Sequence, residues 1–179
     1  MQHVFLRKID FMKHPLFFFP LALLITSTAF ADKPRVVSLG KEGKAEVRLA
    51  KGQKTDIALQ IFKGGKLLQT FPNLGAGQGK ISFAGSESSI VVTDLDKDGT
   101  EEILLRTTQP PIIGSLWVFQ WDKAKKAFAY VNAESERSYL PVPLAEKVSL
   151  EANGNLSFPM PGKTGLASFQ WSGKGFVAK

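Results

Sequence analysis

Three observations in the 179-residue sequence predict an all-β fold built from antiparallel, blade-like sheets. Alternation of apolar and polar residues with a period of two recurs along the chain, as in residues 55–62, while no eleven-residue window shows convincing helical periodicity. Gly64-Gly65 and Asn153-Gly154 are two-residue turns typical of β-hairpins. Residues 116–131 and 166–179 form an internal repeat, since both contain L-x-x-F-Q-W, a short basic turn and a Phe-bearing strand. We expect a β-sandwich or a partial propeller-like arrangement of about ten or eleven strands.

The predicted strands follow one another along the whole chain after residue 54. In order they are residues 55–62, 66–71, 89–93, 102–107, 115–121, 126–131, 147–151 and 155–158, followed by the two strands of the second repeat copy at 166–179. The middle strands are apolar on both faces: Trp117, Phe119 and Trp121 alternate with Leu116 and Val118. Two-sided apolar strands are typical of a sheet that is covered on both faces, so we expect these strands between stacked layers.

The first 31 residues have the pattern of a secretory signal peptide. Three basic residues precede an apolar run at residues 16–25, and Ala29-Phe30-Ala31 forms a small-residue cleavage site. The run is too short to cross a bilayer, which takes about 20 apolar residues. We expect cleavage after Ala31, with Met1 or Met12 as the start, one domain at residues 32–179, no transmembrane anchor after cleavage, and a periplasmic or secreted location.

Composition excludes many kinds of enzyme. The chain has no cysteine and its two histidines, His3 and His14, belong to the predicted leader, so the mature protein lacks Ser-His and Cys-His nucleophiles, imidazole or thiolate zinc sites, and disulfides. We therefore predict a non-enzyme. A carboxylate-based glycosidase using Glu87, Glu134 or Glu136 is the enzymatic alternative, although nothing in the sequence pairs these residues. The net charge of +7 falls to +5 without the leader, and export argues against a nucleic-acid partner.

An acidic cluster at residues 94–102 is the candidate site. Asp94, Asp96, Asp98 and Glu102 fall within nine residues of an otherwise basic chain. Carboxylates this close repel one another unless a cation neutralises them, and calcium prefers six to eight oxygen ligands. A solvated Asp/Gly-rich turn without metal is the alternative, because these residues also favour turns.

The spacing within the cluster resembles a calcium loop but departs from the EF-hand. Gly99 at the sixth position permits a sharp turn, and the carbonyl of Thr100 at the seventh can supply a main-chain oxygen. The twelfth position is Leu105 where an EF-hand needs a glutamate, and the flanks are predicted strands. We therefore reject an EF-hand and predict Glu102, at position nine, as the closing carboxylate of a structural site.

Residues 89–131, with strand, D-x-D-x-D-G-x-x-E, strand and aromatic hairpin, resemble the FG-GAP or VCBS-type repeat of integrin-like propellers. In that family the acidic loop joins the first two strands of a blade and binds calcium. The resemblance implies these calcium ligands: Asp94, Asp96, Asp98, the main chain of Thr100, and Glu102. The chain departs from the family in having one acidic loop only.

The size, predicted export and single loop are also similar to small periplasmic proteins that inhibit lysozyme-like peptidoglycan hydrolases, including immunity proteins against secreted effectors. This resemblance implies a protein-binding module that blocks a hydrolase cleft. The apolar, proline-bearing loop at residues 109–114 is the expected partner surface. The alternative is an envelope assembly protein, or a protein that binds envelope glycan, which exposed Trp117 and Trp121 would favour.

Overall fold

The computed structural model describes residues 33–53, 56–76, 81–109, 113–131, 139–144, 147–160, 162 and 164–179. It confirms the predicted all-β class: these residues form thirteen strands and one short 3₁₀ helix, Gly40–Glu42, with no closed barrel among them. The strands are β1 Arg35–Ser38, β2 Lys44–Lys51, β3 Ile57–Lys63, β4 Lys66–Phe71, β5 Ile90–Thr93, β6 Glu102–Gln109, β7 Ile113–Asp122, β8 Ala127–Tyr130, β9 Leu140–Val142, β10 Ser149–Leu150, β11 Asn155–Pro159, β12 Leu166–Trp171 and β13 Phe176–Ala178.

The strands form three antiparallel sheets in which neighbours in sequence are neighbours in space. Sheet 1 has the order β1-β2-β3-β4, sheet 2 has β5-β6-β7-β8, and sheet 3 has β10-β11-β12-β13. β9 pairs with β7 in sheet 2. Each sheet therefore contains a four-stranded meander of the kind expected for a blade-like unit, because short connections favour antiparallel neighbours, and β9 is a fifth strand of sheet 2.

The internal repeat corresponds to the last two strands of sheets 2 and 3. Trp121 lies opposite Phe128 across β7 and β8, with ring centroids 5.2 Å apart and ring planes at 62°. Trp171 lies opposite Phe176 across β12 and β13, with 5.4 Å and 65°. The two copies thus form equivalent hairpins with the same edge-to-face aromatic pair.

Sheet 2 is buried on both faces, as the apolar middle strands predict. One cluster packs side chains of sheet 1, such as Leu59, against Ile103 and Phe119 of sheet 2. The other packs Leu116 of sheet 2 against Leu156 of sheet 3. All five side chains are fully buried, so the fold is a sandwich-like stack with two apolar layers.

Three strands were missed by sequence reasoning, which explains why thirteen are found and ten or eleven were expected. β1 and β2 precede the first predicted strand, and β9 is a three-residue strand that contains Pro141. β9 pairs with the first part of β7, where Gly114 lies opposite Val142, while β8 pairs with the last part. Pro141 is tolerated there because β9 pairs on one side only.

In the part of the chain that the structure describes, no helix is long and apolar enough to cross a membrane. The predicted signal peptide at residues 1–31 lies outside the described residues, so it stays a prediction.

Candidate metal centre

The acidic loop joins β5 to β6 in the doubly covered sheet 2. Thr93 and Glu102 form the last pair between these strands, so the loop leaves and re-enters the sheet at one place. Lys97 and Gly99 have positive φ values of 62° and 84°, which lets the chain reverse tightly. The turn role predicted for Gly99 is therefore confirmed.

Three of the predicted ligands converge. One carboxylate oxygen from each of Asp94, Asp96 and Glu102 lies within 4.8 Å of the others. Asp96 is exposed, Asp94 is half-buried and Glu102 is wholly buried. Negative groups this close repel one another, so the arrangement favours a proton or a cation between them.

Glu102 is the unusual member because its carboxylate is buried among polar and acidic neighbours. Its Oε2 accepts a hydrogen bond from the Leu95 N–H at 2.9 Å, and its Oε1 accepts one from Gln120 Nε2 at 3.4 Å. No basic side chain in the described residues lies within ion-pair distance of it. Burial, reinforced by the charges of Asp96 and Asp94, raises the pKa of Glu102 to about 7.

Asp98, the fourth predicted carboxylate, makes different contacts. Its Oδ2 pairs with Lys123 Nζ at 3.0 Å, and its Oδ1 accepts a hydrogen bond from the Thr100 N–H at 2.7 Å. The bond from Lys123 holds the pKa of Asp98 below its usual value. Sequence reasoning missed Lys123 because the pair joins residues 25 positions apart and depends on how the β7–β8 turn lies over the loop.

Thr100 connects the loop to sheet 1. It forms an isolated antiparallel bridge with Leu39, and its side chain is buried with no hydrogen-bond partner for Oγ1 within the described part of the chain. The main-chain oxygen predicted to bind calcium belongs to this residue, and that role stays a prediction.

Both outer sheets contact the loop. The Ser38 N–H donates to Glu101 Oε2 at 2.6 Å, and the Glu101 N–H donates to the Ser38 carbonyl at 2.9 Å. From sheet 3, the β10–β11 turn places Gly154 so close that a Cβ there would lie 2.9 Å from the Leu95 carbonyl oxygen. The loop therefore touches all three sheets.

Substituting Gly154 by alanine is expected to destabilise the protein by about 2 kcal/mol. The new methyl would clash with a backbone oxygen and would also force an alanine to adopt a φ of 78°. Gly173→Ala is the matched control, because Gly173 has a φ of 80° but no atom within 4 Å of its added Cβ. Urea unfolding measures the loss of unfolding free energy in each variant, and the loss in Gly154→Ala minus the loss in Gly173→Ala is the cost of the clash. Equal losses in the two variants would contradict close packing of the β10–β11 turn on the acidic loop.

The other predicted functional residues belong to the core, are exposed at the surface, or lie outside the described part of the chain. Trp117 and Trp121 are only 6% and 4% exposed and belong to the core, so the exposed aromatic platform needed for the glycan alternative is not there. Glu87 is exposed, whereas Glu134 and Glu136 lie outside the described residues. The centre of the expected partner loop, residues 110–112, also lies outside them.

Comparison of the chain with models of known protein families, with curated proteins and with solved structures finds no match. The resemblance to FG-GAP or VCBS-type repeats and to hydrolase inhibitors therefore stays a prediction.

Proposed function

We propose that the protein is an exported, calcium-binding β-domain that binds another protein without catalysing a reaction. Its most concrete form is an inhibitor or immunity protein directed against a peptidoglycan hydrolase. The observation that carries the calcium part is the convergence of Asp94, Asp96 and the buried Glu102. The proposal that it binds a hydrolase rests on its resemblance to small periplasmic inhibitors that carry a single acidic loop.

The donor set fits calcium. All three groups are carboxylates, and residues 32–179 contain no histidine or cysteine that would favour zinc or copper. Two oxygens bound to one calcium ion at about 2.3–2.6 Å lie no more than about 5 Å apart. The 4.8 Å limit on the three carboxylate oxygens meets this condition.

The contacts of the loop favour a structural role for the ion. Because Glu101 bonds to Ser38 of sheet 1 and Gly154 of sheet 3 packs on Leu95, ordering the loop orders its junctions with both outer sheets. The bound ion would neutralise the carboxylates that otherwise repel one another. We therefore expect calcium to stabilise the whole domain.

Lys123 is expected to weaken calcium binding because its ammonium group competes with the ion for Asp98. In the Lys123→Met variant the Asp98 carboxylate loses its ion pair, so its negative charge is free to attract the calcium ion. Calcium should therefore bind about three- to tenfold more tightly. Lys125→Met is the matched control, since Lys125 pairs with Asp122 at 3.2 Å instead of with the loop. Calorimetric titration compares the two. Equal affinities in both variants would contradict competition by Lys123.

Inhibition assays test the partner part of the proposal. The purified protein is added with calcium to a panel of lysozymes and murein hydrolases, and slowing of at least one is expected at a stoichiometric ratio. The Glu102→Gln variant should inhibit less if calcium orders the binding surface. Failure to slow any hydrolase in a broad panel would remove the inhibitor version, while calcium binding would be judged separately by the titration above.

A further inference from the structure

A groove with a volume of about 450 Å³ lies between the first strands of sheets 1 and 2. Its lining includes Arg35 and Val36 of β1, Ile90 and Val92 of β5, and Glu101 from the end of the acidic loop. Ligand sites in proteins have volumes of about 300–1,000 Å³, so the groove is large enough for a ligand. β1 and β5 are both edge strands, and the groove is therefore bordered by two strand edges.

The β1 wall of the groove presents an unpaired peptide group. Successive residues of a strand direct their N–H and C=O groups to opposite sides. The Leu39 N–H donates to the Gly43 carbonyl at 2.8 Å on the β2 side, so the main-chain groups of Ser38 and Val36 point away from β2. Those of Ser38 bond to Glu101. The N–H and C=O of Val36 make no hydrogen bond to any other described residue.

The β5 wall presents a similar peptide group. The Arg106 N–H donates to the Ser89 carbonyl at 2.8 Å between β6 and the start of β5, so the main-chain groups of Ile90 and Val92 point away from β6. The Ile90 N–H donates on that side to Ser88 Oγ at 3.2 Å. Among the residues that the structure describes, nothing bonds to the outward N–H and C=O of Val92. Backbone donors and acceptors thus face the groove from both walls.

Two other strand edges of the protein are covered by the chain itself. On β8, the Phe128 N–H donates to Gln69 Oε1 and Gln69 Nε2 donates to the Phe128 carbonyl, both at 2.9 Å. Next to β10, the Ala84 N–H donates to the Val148 carbonyl at 2.8 Å. An uncovered strand edge is a template for pairing with another chain, and the groove leaves such an edge accessible.

β1 already begins a ladder with an antiparallel partner. Thr100 forms an antiparallel bridge with Leu39, and Glu101 exchanges two hydrogen bonds with Ser38, one through its main chain and one through its carboxylate. The chain then enters β6 and leaves this edge. The next outward-facing position on β1 is Val36, at the groove. An extended peptide that lies antiparallel to β1 would continue the ladder from there.

The geometry points to an extended peptide segment of a partner protein as the ligand of this groove. The segment runs antiparallel to β1, donates to the Val36 carbonyl and accepts a hydrogen bond from the Val36 N–H. In such strand addition the main-chain bonds supply affinity and the side chains supply specificity. This inference goes beyond the proposed function, because it depends neither on calcium nor on the partner being a hydrolase.

Charged residues at the two ends of the groove define the segment that fits. Glu101 lies at the Ser38 end of β1, and the exposed Arg35 lies at the other end. Arg35 forms no ion pair with the described residues. An antiparallel segment has its amino-terminal side beside Glu101 and its carboxyl-terminal side beside Arg35. The four residues of β1 span roughly 10 Å, so we expect a basic residue about three positions before an acidic one.

A phage library of random heptapeptides tests the site. Panning against the purified protein should enrich peptides with this charge order, and fluorescence anisotropy of a labelled synthetic copy measures their affinity. Val36→Pro removes the outward N–H but no bond of the β1–β2 ladder, and edge strands tolerate proline. It should weaken binding at least about tenfold. Ala178→Pro is the matched control, because the Ala178 N–H also points away from its neighbour strand, on the edge strand β13 of sheet 3. This variant should bind as the parent does.

Arg35→Glu tests the direction of the segment. Panning against this variant should enrich peptides in which a basic residue replaces the acidic one, and it should bind the parent's peptide about three- to tenfold more weakly. Selection of the same peptides by Arg35→Glu overturns the antiparallel orientation. The site itself is overturned if the parent enriches no peptide. It is overturned equally if Val36→Pro, shown to be folded by circular dichroism, binds as tightly as the parent, or if Ala178→Pro loses as much affinity as Val36→Pro.

Discussion

Replacing Glu102 by glutamine is expected to stabilise the calcium-free protein at pH 8 and to abolish its stabilisation by calcium. In the free protein, ionised Glu102 is buried beside Asp94 and Asp96, and glutamine removes that charge while it retains an oxygen for the Leu95 N–H. We expect a gain on the order of 2 kcal/mol at pH 8. With calcium at a hundred times its dissociation constant, the parent gains about 2.7 kcal/mol, or roughly 5–10 °C in melting temperature, and the variant gains almost none.

The pH dependence follows from the raised pKa of Glu102. The folded protein keeps the Glu102 carboxyl proton up to about pH 7, whereas the unfolded chain releases it near pH 4.5. In the calcium-free protein, Glu102 therefore stabilises the folded state fully below pH 4.5. That contribution is lost as the pH rises from 4.5 through about 7. Calcium needs the ionised carboxylate, so its stabilising effect should grow over the same range.

Melting curves at several pH values, with and without calcium, measure both effects. Glu101→Gln is the matched control: Glu101 precedes Glu102, but its carboxylate accepts a bond from Ser38 instead of facing Asp94 and Asp96. This control should keep the calcium shift. A calcium shift that survives in Glu102→Gln would contradict Glu102 as a ligand, and a parent protein with no calcium shift would mean that the loop is a plain acidic turn.

Much of the fold could be predicted because its local patterns agree with its tertiary structure. The Gly64-Gly65 turn joins β3 to β4 as expected, and the alternation of Ile57, Leu59 and Ile61 gives the buried face of β3. β2 shows the same alternation in weaker form, since Ala45 and Val47 are its buried residues and charged residues separate them. β9 has too few residues for any period to be read, and it is a strand only because β7 offers a free edge.

The candidate site was predictable in composition but not in geometry. Alternate aspartates in a tight loop predict that carboxylates converge, and Asp94, Asp96 and Glu102 do so. Whether Asp98 joins them depends on Lys123, which a different hairpin brings to the loop. The burial of Glu102 depends on the layers packed around sheet 2, and no local pattern encodes that environment.

Arg106→Met is expected to cost about 3 kcal/mol of stability, because it removes the donors of a buried, hydrogen-bonded guanidinium. Arg106 lies on β6 and is only 2% exposed, with Leu116 directly opposite it on β7. Burial lowers the pKa of its guanidinium, since the charged form is removed from water. A charge in this position is retained only if its hydrogen bonds compensate for the lost hydration.

The hydrogen bonds of Arg106 tie two outlying segments to sheet 2. Nη1 donates to the carbonyl of Ser82, which precedes β5, and Nη2 donates to the carbonyl of Pro143, which follows β9, at 2.9 Å. Methionine has a similar length but no donor, so both carbonyls would lose this partner. Lysine would keep the charge, but its single ammonium group cannot reproduce the planar fork, and we expect an intermediate loss.

Urea unfolding of Arg106→Met, Arg106→Lys and Arg35→Met separates the two explanations for this residue. Arg35→Met is the control because Arg35 is exposed on the edge strand β1, and it should change stability by less than about 0.5 kcal/mol. Buried ionic groups can in other proteins be replaced by apolar ones without loss. A neutral or stabilising Arg106→Met would place Arg106 in that class, whereas a graded loss from arginine through lysine to methionine means that the forked donor holds Ser82 and Pro143 against the sheet.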